Sequence, residues 1–94
     1  MHDSIFYYSK VTEDSPSVAV NYYFRGSAWA MKESYDLSIT DFSQAIELDN
    51  YHLKTYVNRG RVWKIIGKLE KALKDFTKAI ELQPSGLAPS NLFR

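Results

Sequence analysis

Ninety-four residues are enough for one small domain and too few for several. With 45% apolar and 24% charged residues, the composition is that of a soluble globular chain, away from disordered and membrane-embedded classes. A formal net charge of +1 gives no field to gather nucleic acid or anionic lipid, and no apolar run approaches the roughly 18 residues that span a bilayer, so neither partner is expected.

The first residues, Met1-His2-Asp3-Ser4, lack the positive region and apolar stretch of a secretory signal. A cytoplasmic chain is expected, and the absence of cysteine fits a reducing compartment. From Asp3 to about Glu13, Ile5, Tyr8 and Val11 recur at spacings of three, which predicts an amphipathic helix; the alternative is a Tyr-rich tail. Ser15-Pro16 supplies a turn with proline near the next helix start. From about Ser17 to Leu48 the apolar residues keep helical spacing, interrupted at Glu33-Ser34. Next, Leu53, Tyr56, Val57, Gly60, Val62, Trp63 and Ile66 predict a helix that stops at Gly67, a residue able to take the left-handed conformation that closes helices. A further helix through Leu69, Ala72, Leu73, Phe76, Ala79, Ile80 and Leu82 must end before Pro84, whose ring and missing N–H forbid continuation. Ser85 to Arg94, with Gly86 and Pro89, predicts a loop or tail.

Slid along itself by 34 residues, the chain places Tyr22–Asn50 on Tyr56–Pro84 with ten identities in 29 positions, where unrelated pairing gives roughly two. Tyr22/Tyr56, Arg25/Arg59, Gly26/Gly60 and Trp29/Trp63 fall in the first helix of each unit. Asp41/Asp75, Phe42/Phe76, Ala45/Ala79, Ile46/Ile80, Glu47/Glu81 and Leu48/Leu82 fall in the second. Such a period marks stacked repeats, each unit too small to bury its apolar face without its neighbours. Small residues at Gly26/Gly60 and Ser38/Ala72 let the two helices of a unit approach, with Trp29/Trp63 and Phe42/Phe76 filling the volume beside the contact. The recurring pairs Arg25 with Asp41 and Arg59 with Asp75 predict a polar bridge between paired helices, contributing about 0 to 1 kcal/mol if exposed. Ligand binding by Arg59 is the alternative.

The pattern Tyr56-x-x-Arg59-Gly60-x-x-Trp63, then Ala72-x-x-x-Phe76, then Pro84 resembles the tetratricopeptide repeat, whose signature is W-x-x-L-G-x-x-Y, A-x-x-x-F and P over 34 residues. The first unit matches as Tyr22-x-x-Arg25-Gly26-x-x-Trp29 and Phe42, and departs with Ser38 for alanine and Asn50 for proline. Shifting once more places Ser4, Tyr8, Val11 and Pro16 on Ala72, Phe76, Ala79 and Pro84. The resemblance implies an all-α, right-handed superhelix of antiparallel helix pairs in one domain over 1–84. A half-repeat helix would occupy 3–14, with units at 19–52 and 53–84 and a tail at 85–94.

It also implies a function. In this family the first helices line a concave groove that holds extended peptides or partner helices. Here those positions include Val20, Tyr23, Phe24, Ser27, Ala30 and Met31 in the first unit, and Lys54, Val57, Asn58, Arg61, Lys64 and Ile65 in the second. The groove would be aromatic at one end and basic at the other. Lys54, Arg61 and Lys64 offer donors for an acidic or C-terminal peptide, and Asn58 can bond a peptide backbone in both directions. Tyr23, Phe24 and Met31 would hold an apolar anchor. The alternatives are burial of Tyr23 and Phe24 against Ile5 and Tyr8, and a solvated face for the three cations. Members that clamp chaperone tails carry lysine and asparagine in the first unit and lysine and arginine in a third. Lys54 and Asn58 match that vocabulary, but Tyr23 and Ser27 replace the first unit's polar pair and there is no third unit.

An enzyme is not expected. His2 and His52 are isolated, with no carboxylate at metal-ligand spacing, no glycine-rich phosphate loop occurs, and the serines lack a nearby base. No catalytic residue, metal or cofactor follows from these residues. The adaptor reading has one competitor. After Leu82 nothing resembles the polar capping helix with which stacked repeats close, which predicts either a longer repeat protein or self-assembly into a homo-oligomer through the open end or by helix exchange.

Overall fold

The computed structural model describes residues 4–84 and places five helices there: α1 (Ser4–Asp14), α2 (Ala19–Met31), α3 (Tyr35–Leu48), α4 (Leu53–Ile65) and α5 (Leu69–Leu82). The bounds of α4 and α5 are those of α2 and α3 shifted by 34 residues, and α1 ends 34 residues before α3. The expected tail over 85–94, and Asp3 at the expected start of the first helix, lie outside the described residues. The helices form an all-α helical-repeat superhelix. α2 packs most extensively on α3, and α4 on α5, while α1 meets α2 and α3 meets α4 more lightly.

The turn within each unit has one construction. After α2, the N–H of Ser34 reaches the carbonyl of Trp29 at 2.9 Å and that of Glu33 the carbonyl of Ala30 at 2.9 Å. After α4, Lys68 bonds Trp63 at 2.8 Å and Gly67 bonds Lys64 at 3.1 Å. This is the Schellman closure, which satisfies carbonyls orphaned at a helix end and needs one residue at positive φ. Gly67 takes φ 87°; in the first unit a glutamate, Glu33, takes φ 63° in its place.

Close approach of paired helices explains the two helical glycines. A Cβ at Gly26 would lie 2.8 Å from Cδ1 of Phe42, and one at Gly60 would lie 2.7 Å from Cε1 of Phe76. Both are inside van der Waals contact, so each phenylalanine ring rests directly on the backbone of the facing helix. The recurring tyrosines have a role the sequence did not announce. Tyr22 donates to the carbonyl of Pro16 at 2.9 Å and Tyr56 to that of Asn50 at 3.0 Å, each tying down the loop that enters its unit.

The Arg–Asp pairs bridge the helices of each unit. Arg25 donates through Nε and Nη2 to Asp41 at 2.7 and 2.8 Å, and Arg59 does the same to Asp75 at 2.8 and 2.8 Å. Both carboxylates are buried, so these are not the exposed pairs for which a fraction of a kcal/mol applies. Hydrogen bonding to Asp41 raises the pKa of Arg25 further above its ordinary value, against the opposing effect of burial. Ser38, at the close approach where the second unit has Ala72, is fully buried and its hydroxyl has no partner.

Candidate concave peptide site

α2 and α4, the first helices of the two units, lie side by side because each packs on its own second helix and α4 also packs on α3. One hydrogen bond joins them directly: Asn58 Nδ2 donates to Tyr23 Oη at 3.2 Å. Beside this bond is an open concavity of about 280 Å³. Its walls are Ser27, Ala30 and Met31 of α2 and Asn58, Arg61, Val62 and Ile65 of α4, with Tyr35 and Phe42 of α3 behind them.

Among the residues expected from sequence, Ser27, Met31, Asn58 and Arg61 share this concavity, along with Ala30 and Ile65. Tyr23 borders it through Asn58 and sits in a ring cluster, edge-on to His52 at 4.9 Å and 6.1 Å from Phe42. Phe24 is turned to the amino-terminal helix, where it stacks on Tyr8 at 5.4 Å with 22° between the rings. Lys54 and Lys64 are exposed on α4 and stand outside the lining.

Three lining residues were not among the expected groove positions. Tyr35 and Phe42 enter because α3 crosses behind the two first helices, a consequence of packing that position along one helix does not reveal, and Val62 joins them from α4 itself. His52, an isolated histidine in the sequence, stands at the start of α4 with Nδ1 2.6 Å from the Thr55 hydroxyl and its ring against Tyr23.

The concavity combines an apolar surface with a few polar groups. Ala30, Met31, Phe42, Val62 and Ile65 give an apolar surface. Asn58 uses one N–H on Tyr23 and retains a second N–H and a carbonyl oxygen of its amide. Ser27 Oγ donates back to the Tyr23 carbonyl at 2.9 Å, so its hydrogen is engaged within α2. The helix that supplies Arg61 also carries Lys54, Arg59 and Lys64 and no carboxylate. Among the described residues, no group of three or more His, Asp or Glu lies together where a metal could bind, and no helix is long and apolar enough to cross a membrane.

Paired helices repeated at a fixed period, stacked side by side with first helices lining one concave face, define a helical-repeat protein of the solenoid class. The chain resembles tetratricopeptide-repeat proteins in both units. The model of that family matches residues 53–85, the second unit, and the first unit repeats its helix bounds and its turn. No curated protein sequence matches the chain. Among solved structures it is similar to MamA, at 28% identity and a TM-score of 0.82 over 85% of this chain and 47% of that one. It is similar to the first TPR domain of Spaghetti (RPAP3), solved with the HSP90 peptide SRMEEVD, at 29% identity and a TM-score of 0.83 over 96% of this chain and 71% of that one. The second TPR domain of human RPAP3, solved with the HSP70 peptide SGPTIEEVD, is 28% identical with a TM-score of 0.81 over 86% of this chain and 68% of that one. The chain thus spans about half the length of MamA and about 70% of each RPAP3 domain.

Proposed function

We propose that this chain is a protein-interaction module that holds a short acidic or C-terminal peptide segment in the concavity between α2 and α4. The observation that carries this reading is an apolar surface beside a basic helix with no carboxylate. An apolar peptide side chain would rest on Met31, Phe42, Val62 and Ile65. Arg61 would meet a peptide carboxylate in a charge-assisted pair, and Asn58 would bond the peptide backbone with its remaining N–H and its carbonyl oxygen. The RPAP3 domains, which share the fold at 28–29% identity, are solved with peptides that end in EEVD, which supports a carboxylate-rich segment as the ligand class.

Titration of SRMEEVD into the full chain, followed by calorimetry, tests it. Saturable binding is expected, weakened about tenfold or more by Arg61→Glu through loss and reversal of one charge-assisted contact. Arg61 is exposed, so that variant keeps the fold, which circular dichroism verifies. Absence of binding, or equal affinity in the variant, ends this reading.

A further inference from the structure

The residues that build each unit recur at 34, and several at the junction of the units do not. In that register Tyr23 stands against Val57, Asn58 against Phe24 and His52 against Val18. Closing a unit therefore makes no demand for these three types, since the other unit closes with different ones. The structure brings them together. His52, Thr55 and Asn58 succeed one another at spacings of three from the N-cap of α4 onward, and Tyr23 meets both His52 and Asn58 from α2.

Tyr23 is held among three rings: His52 edge-on at 4.9 Å, Phe24 tilted at 5.3 Å and Phe42 tilted at 6.1 Å. Two of the three are themselves fixed. Phe42 is fully buried, and His52 Nδ1 lies 2.6 Å from the hydroxyl of Thr55, a residue that is also fully buried. A phenol packed in this way holds its oxygen in one place, and that oxygen accepts the Asn58 Nδ2 hydrogen bond at 3.2 Å. The terminal torsion of an asparagine is otherwise broad, so this bond removes a freedom that the amide would lose only on meeting a ligand.

We propose that Tyr23 is a positioning residue for peptide capture: its hydroxyl fixes the amide of Asn58, so that the remaining N–H and the carbonyl oxygen stand ready for the backbone of a peptide in the concavity. This role rests on the reading of the concavity as a peptide site. A side chain ordered in advance need not be ordered on binding, so the benefit is read as affinity. The role also narrows the ligand. An extended segment has a free backbone N–H and carbonyl to offer Asn58, whereas the inner backbone groups of a helix are already paired and a proline has no N–H.

The test is calorimetric titration of SRMEEVD into the full chain, Tyr23→Phe, Asn58→Ala and the double variant. Tyr23→Phe removes the hydroxyl and keeps the ring among its neighbours, and circular dichroism verifies the fold of each variant. Binding about three- to tenfold weaker is expected for Tyr23→Phe. The double variant should bind no more weakly than Asn58→Ala alone, because the hydroxyl acts through the amide, whereas the effect of Tyr23→Phe should add in full to that of Arg61→Glu. Among SRMEEVD peptides methylated at one backbone nitrogen each, one should lose affinity for the unsubstituted chain and lose none for Asn58→Ala. In NMR spectra of the free chain the side-chain amide signals of Asn58 should move in Tyr23→Phe. Unchanged affinity in Tyr23→Phe, a loss that persists in the Asn58→Ala background, no such methylated position, or unmoved Asn58 signals overturns this role and leaves peptide capture standing. Absence of binding by the unsubstituted chain ends peptide capture and this role together.

Discussion

Asp75 is buried, and both its carboxylate oxygens accept hydrogen bonds from Arg59. Removing the arginine leaves an ion in a low-dielectric site, so Arg59→Ala is expected to cost about 3 kcal/mol, several times the figure for an exposed pair. Asp75→Ala is expected to cost less, because Arg59 keeps Ser43 and partial contact with water. The double variant should then show a coupling of about 1 to 3 kcal/mol in urea denaturation. Strictly additive single effects would mean that the bridge is energetically inert. At Ser38 the two units differ in chemistry without differing in shape: a buried hydroxyl without a partner stands where Ala72 stands, and the helices approach equally closely at Gly26 and Gly60. Phe42 is fully buried and Phe76 half-buried, although both rings rest on a glycine. The difference comes from α4, which closes over α3 and has no described counterpart over α5.

The helix-to-helix turns show how strongly the unit imposes its backbone on whatever residue it is given. The residues that precede α3 and α5, Ser34 and Lys68, share φ and ψ within a degree or so, −91° and 74° against −92° and 73°, despite unlike side chains. Glu33 is held at positive φ between α2 and Ser34, where an L-residue with a Cβ costs about 1 to 2 kcal/mol. Its side chain is exposed. Glu33→Gly is therefore expected to raise stability by about 0.5 to 1 kcal/mol, the relief of the left-handed conformation less the extra chain entropy of glycine. A higher urea midpoint with an unchanged slope would show this, and a lower midpoint would mean that Glu33 makes contacts that outweigh its strain.

In a stack where each helix touches its sequence neighbours, stability is the sum of what each unit holds and what its interfaces add. α3 is enclosed by α2 and α4, whereas α1 packs on α2. Hydrogen exchange should therefore be slowest in α2 and α3 and fastest in α1 among the described helices, since local opening is cheapest where few buried contacts are lost. Protection in α1 equal to that in α3 would show instead that the helices open together. The elongated outline, 51 × 29 × 25 Å, is the shape expected of side-by-side stacking, and it leaves both the concavity and the outer face of α5 accessible along the molecule.

The sequence by itself determined the period, the two-helix unit and the all-α class, because identical residues 34 apart must meet identical neighbours for every unit to close alike. It also carried the close contacts at Gly26 and Gly60 and the Arg–Asp pairing, since a residue type repeated in register signals a contact repeated in space. Tertiary structure alone decided what each position faces. Tyr23 meets Asn58 across 35 residues of chain, Phe24 turns to Tyr8, and Tyr35 and Phe42 join the concavity because α3 crosses behind α2 and α4. Ile46 and Ile80 are the same residue in the same register, yet one is half-buried and the other exposed. Burial is a property of what packs against a surface, and a helical period specifies the surface without specifying its cover.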